Sequence, residues 1–357
     1  MQISLVSSAD EVSDARLHRL CNALIKDGKT VQVIALGKAA DAPAGVSFKQ
    51  AIGNKSFAAR IIRDLTIPFQ SSGKVVIVVA PDLLLTSWLI SKLRRQKLVA
   101  DVHEDYLQLL KDRSWAKGVI GKFAALVART ATYIAKSSAL TTVADTQVPP
   151  ADAKNRLVVR NLPDLSLITQ SGALSNRPVA IYIGDIRKSR GLTKILEVAE
   201  LTPNWQFELI GNVAPADQDY LENWKRTCPA ASRVNFHGKL APKQSWKFAQ
   251  GAWVGLSLLD ATPAFIEAVP SKLYEYLSCG LAVVSTNLPR SAKIISESKA
   301  GVIADSAQEI AAALIKFESN LDEINQMRSN GVIWAKNNLD SPAEYGRFSA
   351  AISNLLK

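Results

Sequence analysis

The chain has 357 residues, of which 48% are hydrophobic and 21% charged. This length suits two domains of ordinary size, and the balance excludes a disordered or low-complexity chain. The formal charge of +11 is lopsided: residues 1–178 carry 24 Lys and Arg against 14 Asp and Glu, whereas residues 179–357 carry 19 against 18. The first half should therefore be drawn to something anionic, such as a membrane surface, a phosphorylated acceptor or nucleic acid. Cys21, Cys228 and Cys279 lack a CxxC spacing, which excludes a disulfide framework or a structural zinc site and predicts buried thiols in a reducing compartment. No secretory signal is visible after Met1, and no apolar run is long enough to span a bilayer, so the expectation is a cytoplasmic chain, soluble or peripheral at the inner face of the membrane.

In chain order, β-branched runs predict strands at Ile3–Ser7, Val31–Leu36, Val75–Ala80, Leu98–His103 and Leu140–Val143. Between them, helical periodicity predicts Asp14–Asp27, Leu84–Gln96 and a stretch from Gly118 to Ala135. The Pro-, Gly-, Ser- and Asn-containing segment Asn161–Pro178 breaks the pattern and reads as a connection, with the linker set at 166–178. Alternation resumes with strands at Val179–Gly184, Phe207–Gly211, Val234–His237, Trp253–Leu259, Ala282–Thr286 and Gly301–Ala304, and helices at Leu192–Leu201 and Ser271–Ser278. Such alternation predicts α/β architecture: two Rossmann-like, doubly wound domains with parallel sheets covered on both faces. The expected domains are 1–165 and 179–335, with 336–357 a final helix returning to the first domain. Ligands of such sheets bind beyond the carboxyl ends of the strands, which places a substrate between the two domains.

The segment Glu267–Asn287 is the most informative. Pro270 suits a helix start, since its missing N–H is not needed there. The N–H groups of Ser271, Lys272 and Leu273 would then favour a phosphate, with Lys272 adding a mobile positive charge. Glu275, a turn further on, is placed to accept both hydroxyls of a ribose, and Glu267, before the helix, to face a group beyond the phosphates. A surface helix opened by proline accounts for the same residues.

The eight-residue spacing of Glu267 and Glu275, and the run Pro270-Ser-Lys272-Leu-Tyr-Glu275-Tyr-Leu-Ser-Cys-Gly280-Leu-Ala-Val283-Val284, resemble retaining glycosyltransferases of family 4. That resemblance is strong over the second domain and loose over the first. It implies the GT-B fold, a nucleoside diphosphate sugar as donor, Glu275 on the nucleotide ribose and Glu267 on the donor sugar, with Pro270 also matching. It also implies that no metal is needed, because basic groups neutralise the leaving diphosphate. Ala268 and Ala282 depart from residues common in the family, without touching a polar contact.

A second segment runs Tyr182-Ile-Gly184-Asp185-Ile-Arg187-Lys188-Ser-Arg190-Gly191-Leu192. A strand ending at Gly184, a tight basic loop and a helix from Leu192 can hold a diphosphate through N–H groups and guanidiniums; a plain turn with a solvated basic cluster is the alternative. Arg190-Gly191 matches the family's late Lys-Gly, but Asp185 replaces its early arginine, leaving Arg187 or Lys188 to substitute. Gly211 and Gly238 resemble two further strand-end loops, and His237 falls near the nucleobase in that comparison, although a structural histidine fits as well.

In the first domain, Asp101-Val-His103-Glu104-Asp105-Tyr106 closes a strand. Its acidic residues also suit a helix N-cap series, and one histidine with carboxylates is a weak metal signal. The string resembles a loop in one branch of the family whose histidine faces the donor sugar, so His103 is expected to position sugar hydroxyls, with Asp101 and Glu104 structural or on the acceptor side. Asp14-Ala-Arg16 resembles a variant of the first glycine-rich loop with Arg16 facing the cleft; an N-capping Asp14 before a surface arginine is equally consistent. Leu84–Lys97, with Trp88, Lys92, Arg94, Arg95 and Lys97, and Leu107–Lys136, with Lys111, Arg113, Trp115, Lys117, Lys122, Phe123 and Arg129, read as basic amphipathic segments suited to an anionic membrane; helices packed on the sheet with solvated charges are the alternative. No nucleic-acid motif accompanies the charge. The expected function is retaining transfer to a glycan or lipid-linked acceptor at the membrane surface. A sugar-nucleotide epimerase of the same fold and a non-catalytic sugar-nucleotide-binding scaffold are the competing readings.

Overall fold

The structure, a computed structural model, describes residues 1–52, 57–111, 116–165, 168–263 and 265–357. Arg113 and Trp115, and the linker residues 166–167, lie outside the described residues. The chain divides into two compact units, Met1–Asn161 with Ser341–Lys357, and Leu162–Asp340.

Seven described strands build the first unit: β1 (Ile3–Glu11), β2 (Val31–Leu36), β3 (Ser47–Gln50), β4 (Val75–Val78), β5 (Lys97–Val102), β6 (Leu140–Val143) and β7 (Arg156–Val158). They pair in parallel in the order β3-β2-β1-β4-β5-β6-β7, so the winding direction reverses between β1 and β4. The all-apolar β4 is buried along its whole length, as a strand covered on both faces must be. One face carries Leu17, Leu20, Cys21 and Leu24 of the helix Ala15–Lys26, packed with Tyr345, Phe348 and Ile352 of the last helix, Ser341–Leu356. Glu344 anchors that last helix by accepting from the Arg160 N–H at 2.7 Å and pairing with Arg160 and Arg347. The other face is covered by the helices Phe57–Gln70, Leu83–Leu93 and Gly118–Lys136 through Ile67, Leu83, Leu84, Ala131 and Ile134.

The second unit holds six described strands: β8 (Val179–Ile183), β9 (Gln206–Ile210), β10 (Val234–Phe236), β11 (Val254–Ser257), β12 (Ala282–Ser285) and β13 (Gly301–Ile303). All pair in parallel, in the order β10-β9-β8-β11-β12-β13, with the reversal between β8 and β11. Helices Leu192–Leu201, Pro215–Thr227 and Ala307–Ser319 cover one face, while Ser271–Cys279, Pro289–Ser298 and Leu321–Asn338 cover the other. Residues 168–178 belong to this unit: Ser171 donates to the Cys279 carbonyl at 2.7 Å and Ser175 to that of Gly251 at 3.0 Å. Burial pushes the Cys21 thiol up to about 12 and that of Cys279 up to about 11, so both are inert packing groups.

Candidate functional site

In the second unit the switch point lies between β8 and β11, and the residues expected to hold a donor collect at the carboxyl end of β8. There the chain turns through Gly184 (φ +134°) and Gly191 (φ +98°), both in the left-handed half of backbone space. A Cβ on Gly191 would stand 2.6 Å from the Leu258 Cβ and 2.7 Å from its carbonyl oxygen, so this position requires glycine. One on Gly211 would collide with the Gly184 carbonyl, which fixes the neighbouring strand-end turn against the first.

The helix Ser271–Cys279 starts beside this loop. Pro270 is its N-cap, with extended backbone (ψ 131°), one position before the helix proper. Leu273 donates its N–H to the Pro270 carbonyl at 2.9 Å, so it is not the free donor expected from sequence, and its side chain lies in the core. The N–H groups of Ser271 and Lys272 have no acceptor among the described residues and constitute the open helix start. Tyr276 fastens helix to sheet: its hydroxyl accepts the Ile183 N–H at 3.0 Å, and its ring fills the space where Gly255 lacks a Cβ.

Lys272 departs most from expectation. It is 8% exposed rather than mobile, and its Nζ lies 3.3 Å from the centre of the Tyr182 ring. The ammonium is also the nearest group to Gly184, where it would stand 3.2 Å from an added Cβ. Burial, then the like charge of Arg190, drives its pKa well below the ordinary lysine value, against the pull of Glu275 and Asp185. Those Coulombic neighbours bring Arg190, Asp185, Glu275 and Lys272 into one electrostatic cluster, formed from two segments some eighty residues apart in the sequence. Tyr182 donates its hydroxyl to the Asp185 carbonyl at 2.7 Å, which holds the loop over the lysine.

Arg187 is paired with Asp185 at 3.1 Å, and Lys188 lies over the Tyr220 ring at 4.3 Å. The Arg190 guanidinium sits 5.6 Å from the Phe265 ring, and its Nε is buried with no hydrogen-bond acceptor among the described residues. Phe265 belongs to the turn that carries the exposed Glu267, whose backbone carbonyl accepts from Arg290 at 3.0 Å. The Asp260 N–H bonds the Ser189 carbonyl at 3.0 Å, and its carboxylate pairs with Lys194, so the basic turn is tied to the start of the segment that leads to Glu267. His237 pairs with Glu208 and packs against the Phe248 ring, tilted by 38° with ring centres 4.1 Å apart, which accounts for it structurally.

In the first unit, Asp14 caps its helix by accepting from the N–H groups of Arg16 and Leu17. Arg16 is not a surface residue: it is 4% exposed and forks onto the fully buried Asp101 through Nε (2.9 Å) and Nη2 (2.7 Å), while Nη1 donates to the Val159 carbonyl. Thr142 donates to Asp101 at 2.6 Å, and His103 Nε2 lies 2.6 Å from its second oxygen. Burial alone would raise the Asp101 carboxyl, but Arg16 and His103 overcome it and hold it well below the usual carboxylate range. His103 is thus gripped on one ring nitrogen by a permanent carboxylate, with its side chain 31% exposed. Sequence reasoning missed this network because its members lie on two strands, just past the ends of β5 and β7, and at a helix start, and only the fold unites them. It also missed that β1 runs on to Glu11, carrying Ser8 to Asp82 (2.8 Å) and Asp10, raised by burial, to Ser7 (2.7 Å).

Residues 166–334 match the family of glycosyl transferases group 1. Solved structures of like fold extend over nearly the whole chain. Sucrose-phosphate synthase from Thermosynechococcus elongatus superposes with a TM-score of 0.76 over 99% of both chains, at 14% identity. Anabaena HepE in complex with UDP-glucose superposes at 0.74 over 99% of this chain and 100% of that one, at 15% identity. The chain has the GT-B fold. WaaG, a glycosyltransferase involved in lipopolysaccharide biosynthesis, superposes with a TM-score of 0.68 at 13% identity, over 98% of this chain and 99% of that one. No curated protein matches the sequence. The matched family segment falls within the second unit, so the cluster of Asp185, Arg190, Lys272 and Glu275 lies on the part of the chain that both comparisons cover.

Proposed function

We propose that the chain is a retaining glycosyltransferase that moves a sugar from a nucleoside diphosphate sugar to a glycan or lipid-linked acceptor at a membrane surface. The observation that carries this reading is the meeting of Gly184, Arg190, Lys272 and Glu275 around the open helix start at Ser271. Two free N–H groups, a helix N-terminus and two cations form a site for a diphosphate, and the orphaned Arg190 Nε is a donor in want of an anion. A bound diphosphate would favour the charged form of Lys272, against the burial that lowers its pKa. With these cations in place the reaction needs no metal ion to neutralise the leaving group.

In this reading Glu275 binds the ribose, Glu267 orients the sugar and His103 is assigned to sugar hydroxyls. The acceptor oxygen attacks the anomeric carbon from the leaving-group face. As the bond to the diphosphate breaks, the acceptor proton passes to the departing phosphate oxygen, and the N–H groups stabilise the charge that develops there. HepE, of like fold, was solved with UDP-glucose, which supports this class of donor.

A second reading, a sugar-nucleotide-binding protein without catalysis, is favoured by the Asp185–Arg187 pair, which occupies a cation that would otherwise face the diphosphate. Incubation with radiolabelled UDP- and GDP-sugars separates the readings. Slow release of free sugar supports the transferase, a changed sugar on the nucleotide identifies an epimerase, and binding without turnover identifies the non-catalytic protein.

A further inference from the structure

Three helices of the first unit, Phe57–Gln70, Leu83–Leu93 and Gly118–Lys136, pack side by side on one face of its sheet. Their inner sides fill the core, yet their outer sides are apolar as well. Leu65, Phe69, Leu89, Leu93, Phe123 and Leu126 are each more than half exposed. The exposure is patterned: Ile61, Leu65 and Phe69 recur every fourth residue on the first helix, as do Leu85, Leu89 and Leu93 on the second. Helices apolar all round are ordinarily covered on all sides, so this outer face is built to be covered. Trp88, expected from sequence to belong to it, instead packs partly into the core, with the Lys92 ammonium 3.9 Å over its ring.

Charge decides what covers it. The exposed cations Lys92, Arg94, Arg95 and Lys97 cluster at the end of the second helix, and Lys117, Lys122 and Arg129 line the third. Neither Leu83–Leu93 nor Gly118–Lys136 contains an acidic residue. A second copy docking through the same face would set these cations against their own equivalents, which opposes association. A neutral apolar partner would strip water from them without compensation. An anionic lipid surface satisfies both features, with leucines and phenylalanines at the acyl boundary and lysines and arginines among the phosphates.

We infer that this three-helix face docks the chain on an anionic bilayer. It does so without spanning, since no described helix is long and apolar enough to cross a membrane. The inference rests on the membrane-surface part of the proposed function and specifies the surface that serves it.

The test is flotation of the full chain with vesicles of phosphatidylcholine plus phosphatidylglycerol, and with phosphatidylcholine alone, at low and high salt. The chain should float with the anionic vesicles and be released by salt. Leu93→Glu with Phe123→Glu should abolish flotation. Arg95→Gln with Lys122→Gln should weaken it about twenty-fivefold, at about fivefold per cation removed. All these positions are exposed, so thermal unfolding should be unchanged. Equal binding to neutral vesicles, or flotation that survives both double variants, overturns the inference. So does a solution dimer, seen by sedimentation velocity, that Leu93→Glu with Phe123→Glu dissociates, because a second copy would then be the occupant. Flotation needs no donor, so a chain that floats but never turns over a sugar nucleotide keeps the docking face and sinks the transferase reading.

Discussion

Asp101 is a buried anion whose partners are all visible, and Asp101→Asn converts that arrangement into a measurable loss. The carboxylate accepts two hydrogen bonds from Arg16, one from Thr142 and one at His103, and is itself fully buried. The asparagine amide would turn N–H donors toward the Arg16 guanidinium and leave that cation buried without a counter-charge. Breaking such a pair costs about 3–5 kcal/mol. For a unit of this size each kcal/mol lowers the midpoint by about 2–4 °C, so the first unit should melt about 6–20 °C earlier.

The sign with pH follows from the direction of the shift. Because the native carboxyl titrates well below its unfolded value of about 3.9, its contribution is complete above that value and fades as pH falls through the native pKa. Asp101→Asn should remove that part of the acid dependence. Arg16→Met with Asp101→Leu should cost less than the sum of the single changes, since no charge is stranded. Urea and thermal unfolding from neutral pH down through the strongly acid range measure all of this. A loss below about 1 kcal/mol, the level of an exposed ion pair, would refute the buried network.

Three further outcomes follow from the second unit. Gly191→Ala should destabilise by about 1–3 kcal/mol, from its positive φ and the contact with Leu258, read as a shift in the urea midpoint. Tyr276→Phe should cost about 1–3 kcal/mol by stranding the Ile183 N–H, read by thermal melting. Lys272 binds protons more readily in the unfolded chain, so its burial makes stability rise with pH between its native pKa and about 10.4. Lys272→Met should therefore leave the unliganded chain at least as stable, yet weaken donor binding by about 10–100-fold.

The central strands were legible because burial on both faces forces continuous apolar runs, and Val31–Leu36 and Leu140–Val143 were predicted to the residue. The edge strands Ser47–Gln50 and Arg156–Val158 were not, because short, half-solvated strands carry polar residues and no run to detect. The residues grouped by sequence in Gly184–Gly191 and Pro270–Glu275 do converge, since local motif and strand-end loop coincide there. What sequence could not give was state. Lys272 looked like a free cation and is buried on Tyr182; Arg16 looked like a loop or surface residue and is half of a buried ion pair. Such pairings depend on side chains brought together across the sheet, which no spacing in the chain encodes.

The most direct test of the donor site is Glu275→Ala, assayed by calorimetric titration with a panel of UDP- and GDP-sugars. With its carboxylate on the ribose hydroxyls, the variant should lose about two to three orders of magnitude in affinity for the donor that binds the unaltered chain. Undiminished affinity in the folded variant would contradict the assignment of this helix to the nucleotide.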